Sequence, residues 1–378
     1  MIPRTIYQNI ESFLYKGKVI VLLGPRQVGK TTLMKALLDK NQNSQWLNAD
    51  EGDIKQVLQN ATTSTQLRNI IGADASLVVI DEAQQIEHIG HKVKLLFDTY
   101  PDLQIILSGS SSLDLHDALD EPLTGRKVEF QLFPISQGEL VADTSLLEEK
   151  RKLETRLIYG SYPEVINNPG REREVLMELS NSYLYKDILM FDGIKKSSFI
   201  QKLLQALSFQ VGSEVRYHEL AQKIGNIDPA TVEKYLDILE KMFVIYKLPA
   251  FTRNLRNELK KGKKYYFYDN GIRNVLINNF NFLEFRHDKG ALWENYLLIE
   301  RWKRNSYEGR HVLRYFWRTH DQAEIDYLEE IDGTIHAFEF KWKKGKKRFP
   351  KSFLEAYPEH TTAVLNRENY VEFITGWE

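Results

Sequence analysis

The sequence predicts an α/β chain built from more than one sheet, and three observations carry that expectation. Over residues 1–131 the apolar runs "KVIVLLG", "SQWLNAD", "SLVVIDE" and "LQIILSGSS" alternate with polar helical stretches, the pattern of parallel strands covered on both faces. The first run leads directly into "GPRQVGKT" (24–31), a Gly-rich loop that opens a helix. Past residue 263 the order changes to one long amphipathic helix followed by alternating strands, which implies a second, different sheet. At 378 residues the chain is long enough for two or three domains.

Composition narrows the class. Apolar residues make up 42% and charged residues 27%, the balance of a soluble globular protein. A formal net charge of −1 offers no bulk attraction for nucleic acid, so any such partner depends on local patches. The absence of cysteine excludes disulfides, thiolate zinc sites and cysteine nucleophiles. "MIPRTIYQNIESFLYKGK" has neither the form of a signal peptide nor an 18-residue apolar run, so a cytoplasmic protein without a membrane partner is expected.

The elements fall into four segments. Residues 1–131 form the parallel-sheet core. Residues 132–195 read as a helical lid, opened by "LFPISQGEL", crossed by the breaker-rich "YGSYPEVINNPG" and continued by "REREVLMELSNSYLYKDILMF". In residues 196–262, "YHELAQKIG" and "ATVEKYLDILEKMFV" are helices separated by "NIDP", with Asp228 as N-cap and Pro229 at the first helical position. The strands "VIYKLPAF" and "KKYYFYD" follow, and that order is a winged helix. Residues 263–378 contain the helix "GALWENYLLIERWKRN", the strands "VLRYFWRT", "AEIDYLEE" and "TIHAFEFKW", a helix near "KSFLEAY" and a strand near "TTAVLN".

The loop at 24–31 fits G-x-x-x-x-G-K-[ST] in full and sits between a strand and a helix, the context a phosphate cradle requires. Gly24, Pro25, Arg26, Gln27, Val28, Gly29, Lys30, Thr31 and Thr32 are the expected nucleotide contacts. Lys30 neutralises the β and γ phosphates, and Thr31 ligates Mg²⁺. About fifty residues on, the buried-type strand "SLVVIDE" ends in Asp81 and Glu82. Asp81 is the expected second Mg²⁺ ligand, and Glu82 the group that orients or deprotonates water. Ser108 and Ser110, after the next strand, stand where a γ-phosphate sensor would, and equally where helix caps occur. Arg126 in "LTGRK" is either a surface arginine or an arginine finger, acting in cis or on a neighbouring subunit of a homo-oligomer.

These motifs, with "IPRTIYQNI", "LSGSSS", "LTGRKVEFQLFPISQGE" and "YGSYPEV", resemble a prokaryotic family of AAA+-type P-loop ATPases. In that family the ATPase is joined to a C-terminal domain of unknown function that contains a winged helix and a PD-(D/E)XK nuclease-like part. "DPATVEKYLDILEKMFVIYKLPAF" and "KYYFYDNGIRNVL" resemble its winged-helix portion. The resemblance spans nearly the whole chain and implies binding and hydrolysis of ATP with Mg²⁺.

Nucleic acid as a partner, DNA or RNA, rests on two weaker features. The second helix of the winged helix carries Glu233, Asp237 and Glu240 against Lys234 and Lys241, which is no basic reading head. Arg253, Arg256 and "LKKGKK" (259–264) supply better phosphate contacts. Farther on, Glu339 and Lys341 share a strand face, and an antiparallel partner strand brings Asp326 beside them. The resemblance adds Glu294 on the preceding helix. The four together read as a nuclease metal site, or as the alternating charges of a solvent-facing sheet, and Ile325 stands where the nominal motif has proline. The expectation is an ATPase whose nucleotide state controls this nucleic-acid-associated, nuclease-like part. The alternatives are a nucleotide-gated interaction switch on an inactive scaffold, and a winged-helix transcriptional regulator.

Overall fold

A computed structural model describes residues 2–41, 43–111, 119, 122–181, 197–252, 262–319, 323–345 and 348–377. The chain divides into two compact units, residues 1–133 with 241–243, and residues 134–240 with 244–378.

The first unit is built on one parallel sheet of five strands: β1 (Val19–Leu23), β2 (Ser44–Asn48), β3 (Leu77–Asp81), β4 (Gln104–Gly109) and β5 (Lys127–Gln131). Their order is β2-β3-β4-β1-β5. β1, β3 and β4 are buried along their whole length, which is why they read as unbroken apolar runs. β5 is an edge strand, partly exposed and mixed with charge, and sequence patterning did not mark it out. The insertion of β4 between β1 and β3 sets the geometry of the site. Ser108 lies beside Leu22 on one side, and Leu107 beside Ile80 on the other.

The second unit holds two sheets. The smaller is antiparallel, in the order β6-β8-β7, from β6 (Glu214–Val215), β7 (Ile245–Pro249) and β8 (Lys263–Phe267). β6 lies between the helices Ser197–Phe209 and Tyr217–Gly225, and β7 and β8 follow the third helix, Pro229–Lys241. Asp228 caps the third helix through Ala230 N–H at 2.9 Å, with Pro229 in its first turn. The larger sheet has the order β12-β11-β10-β9, from β9 (Leu313–Arg318), β10 (Glu324–Ile331), β11 (Thr334–Phe340) and β12 (His360–Leu365). β9, β10 and β11 are antiparallel neighbours, and β12 returns parallel to β11 after the helix Lys351–Ala356. Asp332 and Gly333, both at positive φ, make the tight β10–β11 turn. The 19-residue helix Lys289–Tyr307 is tied to this sheet by a buried bidentate pair in which Arg301 donates to Glu329 at 2.8–3.2 Å.

Two of the expected boundaries move. A division at 262/263 would cut β8 from its partners β6 and β7, so residues 263–267 belong with the preceding helices. The described helices between residues 137 and 179 cluster with the C-terminal portion and not with the parallel sheet. The reason is a buried polar network. Ser161 N–H donates to Asp269 at 2.7 Å, Gln137 N–H to Glu300 at 2.7 Å, and Lys303 to Glu300 at 2.6 Å. A side chain at Gly160 would start 1.9 Å from the Asp269 carboxylate. "YGSYPEV" is thus a packing motif. The second half of "REREVLMELSNSYLYKDILMF" and Arg253, Arg256 and 259–261 lie outside the described residues. Among the described residues no helix is long and apolar enough to cross a membrane.

Candidate functional site

The P-loop occupies residues 24–29, between β1 and the helix Lys30–Leu38. Its two glycines serve different ends. Gly29, at φ 96°, needs left-handed backbone, and a Cβ there would meet only the Arg4 guanidinium, at an ordinary contact distance of 3.7 Å. Gly24 is needed for close approach, since a Cβ there would lie 2.1 Å from the Leu132 carbonyl oxygen on the chain leaving β5. Gln27 also takes positive φ. Lys30 is buried and its ammonium donates to the carbonyls of Gly24 and Pro25 at 2.8 and 2.9 Å, bridging the mouth of the loop. Thr31 and Thr32 are exposed in the first helical turn.

Asp81 ends β3 almost fully buried, and the Thr31 hydroxyl donates to its Oδ2 at 3.0 Å. Ser108 donates to Asp81 Oδ1 and accepts from Glu82 N–H at 3.2 Å. That hydroxyl therefore sits between Asp81 and Glu82. Glu82 is held in left-handed backbone at φ 50°, ψ 44°, a strained state for a non-glycine residue that sequence reading did not reveal. Its carboxylate accepts from Ser110 at 3.0 Å and from Gln84 at 2.5 Å.

Two further residues entered the site without being anticipated. Arg4 donates to the Val28 carbonyl at 2.7 Å and to the Phe133 carbonyl at 2.6 Å, bracing the underside of the loop. Gln84 clamps Glu82, while its own buried Oε1 has no hydrogen-bond partner. Only "DEAQ" as a string hinted at Gln84; nothing local pointed to Arg4.

Arg126 is not brought to this group. It precedes β5, and its carbonyl accepts from Val19 N–H at the start of β1, the edge opposite the P-loop. Arg126 therefore stands at the N-terminal end of the sheet, the end opposite the P-loop, paired with Asp98 at 3.1 Å.

In the second unit, Asp326, Glu339 and Lys341 do converge. The β10–β11 register pairs Tyr327 with Phe338, which carries Asp326 opposite Glu339. Lys341 Nζ lies 3.1 Å from Glu339 and 3.6 Å from Asp326, and Phe340 N–H donates to Asp326 at 2.8 Å. Glu294 joins them by another route. It accepts from the Tyr266 hydroxyl at 2.6 Å and faces Lys264 at 3.6 Å, while Lys264 reaches Glu324 at 2.5 Å. Burial pushes the Glu294 carboxyl up to about 7, against the pull of Lys264 and with the push of Asp326 and Glu324. Lys264 is 1% exposed; burial opposes its charge, and Glu294 and Glu324 more than offset that. Asp326 and Glu339 face Lys341 and Glu294 faces Lys264, and among the described residues no three carboxylates or histidines are grouped so as to hold a metal.

Comparison with known proteins divides the chain into three matched segments. Residues 16–141 match the family model described as AAA domain, and residues 150–282 and 289–377 match two domains of unknown function, DUF8612 and DUF4143. An uncharacterized protein of Haemophilus influenzae is 26% identical over 328 residues, covering 79% of this chain and 76% of its own. An uncharacterized protein of Mycobacterium tuberculosis is 26% identical over 336 residues, covering 87% and 71%. In fold, the chain is similar to a Walker-type ATPase of Pyrococcus abyssi, with TM-score 0.53 and 20% identity over 73% of this chain and 96% of that one. The AAA-domain match and the P-loop ATPase fold together support ATP binding and hydrolysis by the N-terminal unit.

Proposed function

We propose that the N-terminal unit is a Mg²⁺-dependent ATP hydrolase. The observation that carries this is the convergence of Thr31, Asp81 and Ser108 from three separate elements at the C-terminal ends of β1, β3 and β4. The Thr31 hydroxyl and Asp81 Oδ2 are hard oxygen donors 3.0 Å apart beside the loop, a set that fits Mg²⁺. When bound, the ion would neutralise charge on the β and γ phosphate oxygens. The backbone arc 24–29 holds the phosphates, and Lys30 exchanges its two carbonyl acceptors for phosphate oxygens. Glu82 orients a water in line with the γ-phosphorus and takes up its proton, with Ser110 and Gln84 setting the resting position of that carboxylate. Phosphate release from ATP by the full chain tests this. Lys30→Ala and Glu82→Gln should both lose turnover, and unchanged rates in either would refute the assignment.

We further propose that the second unit is a non-cleaving module whose arrangement answers to the nucleotide state of the first. Its helix–helix–helix and β6-β8-β7 order supports the winged-helix reading, and the helix Lys289–Tyr307 with the β12-β11-β10-β9 sheet supports the nuclease-like one. The acids of the third helix are used internally. Glu233 pairs with Lys263 at 3.0 Å, and Asp237 and Glu240 with Lys247 at 3.0 Å. The lysine-filled carboxylate cluster favours an interaction scaffold over cleavage of DNA or RNA. Incubation of labelled DNA and RNA with the full chain, Mg²⁺ or Mn²⁺ and ATP should leave both intact; cleavage lost in Asp326→Ala would overturn this.

A further inference from the structure

We infer that Lys264 is the resident cation of Glu294 and Glu324 in the C-terminal carboxylate cluster, so that a divalent metal drawing on Glu294 would have to displace its ammonium. The inference rests on reading Asp326, Glu339 and Lys341 as a nuclease-like arrangement.

A divalent ion at such a site needs several oxygens at roughly 2.0–2.6 Å. Lys264 Nζ already lies 2.5 Å from Glu324 and 3.6 Å from Glu294, with its charge over the Phe316 ring at 5.1 Å. A second cation within that shell would meet like-charge repulsion in a region of low dielectric. The Glu294 carboxylate is closed from other directions as well. Tyr266 donates to it at 2.6 Å, and the backbone of Gly212 passes so near that a Cβ there would lie 2.9 Å from Oε1. Gly212, Lys264 and Tyr266 all come from the module of helices and small sheet, while the carboxylates come from the segment 289–377. The charge chain continues on both sides. Arg318 links Glu214 at 3.1 Å to Glu324 at 3.8 Å, and Lys341 serves Glu339 and Asp326. Ammonium and guanidinium groups therefore do, permanently and from within the chain, the neutralisation that a metal performs in a cleaving enzyme.

The test is Mn²⁺ titration of the nucleotide-free full chain, read by electron paramagnetic resonance and thermal denaturation. Wild type should show no Mn²⁺ binding that Asp326→Asn removes. Lys264→Met, which keeps the apolar stem and deletes the charge, should bind Mn²⁺ about tenfold or more tighter than wild type, and adding Asp326→Asn or Glu339→Gln should abolish the gain. Mn²⁺ bound by wild type and lost in Asp326→Asn would overturn the proposal without requiring any Lys264 variant to fold. So would Lys264→Met that folds with an unchanged circular dichroism spectrum and gains no Mn²⁺. Should Lys264→Met alone fail to fold, Lys264→Met with Glu324→Gln removes one uncompensated carboxylate and is read in the same way. A gain that ignores Asp326→Asn and Glu339→Gln would keep Lys264 as the cation of Glu294 and Glu324 but refute the nuclease-like reading.

Discussion

Thr31 and Asp81, fifty residues apart, meet across 3.0 Å, one from the first turn after the P-loop and the other from the last position of β3. The pair exists because β4 spaces β1 from β3, and Ser108 at the end of β4 fastens the remaining oxygen of Asp81. Asp81→Asn keeps the shape and removes the charge. It should lower ATP turnover by roughly 10²-fold or more while leaving nucleotide binding measurable, which separate assays of phosphate release and fluorescent-nucleotide affinity will show.

The two loop glycines should respond differently to alanine. Gly29→Ala introduces left-handed strain with no clash, its methyl 3.7 Å from the Arg4 guanidinium, and should cost about 1–2 kcal/mol. Gly24→Ala drives a methyl group into the Leu132 carbonyl at 2.1 Å and should cost more, because a neighbouring backbone must move. Thermal melting of the two variants orders them; a milder Gly24→Ala would contradict the contact.

Arg126 stands at the far end of the sheet from Lys30. Arg126→Ala should therefore change turnover by less than about twofold in dilute protein, where a lost transition-state contact would cost 10³-fold or more. A loss that grows with protein concentration would assign the residue to a neighbouring copy.

Arg301 and Glu329 form the buried pair that docks the helix Lys289–Tyr307 on β10. Glu329→Gln leaves a guanidinium buried without its counter-charge and should cost about 3–5 kcal/mol. The double change Arg301→Met, Glu329→Leu should recover much of that, as measured by chemical denaturation.

The Glu294 carboxyl, pushed up to about 7, keeps a proton in the folded chain that the unfolded chain releases near 4.5. The groups facing it are Lys264 and Tyr266 on β8, Glu324 and Asp326 on β10, and Lys341 just past the end of β11. Folded protein binds the extra proton, so this contribution to stability is complete below pH 4.5 and falls as pH rises toward about 7. The expected loss is on the order of 3 kcal/mol. Glu294→Gln should flatten that part of the stability–pH profile; a profile unchanged in the variant would place the titration elsewhere.

Local signals carried much of this architecture. The P-loop, Asp81 and Glu82 were legible because a buried strand, a turn and a helix N-terminus are written in contiguous residues. Asp326, Glu339 and Lys341 were placed together by the period of two along paired strands, which the register reproduces. What stayed illegible is long-range or directional. Lys264 read as one basic residue among several, and only the pairing of β8 with β6 and β7 turns it onto Glu294. Arg126 looked close to the site because it follows the catalytic motifs in sequence, yet a residue preceding a parallel strand lies at the end where phosphate loops do not form. β5 was missed because an edge strand mixes charge with apolar residues.

Arg4 bears on where the working ATPase begins. The family match starts at residue 16, but the hydrogen bonds that brace the P-loop begin twelve positions earlier, with the guanidinium joined to Val28 and Phe133. A fragment trimmed to the recognisable motif region would retain every signature residue and lose the strut beneath them. The folded N-terminal unit thus includes a strut that lies outside the recognisable motif region, and its loss is expected to loosen the loop without altering any residue of the motif.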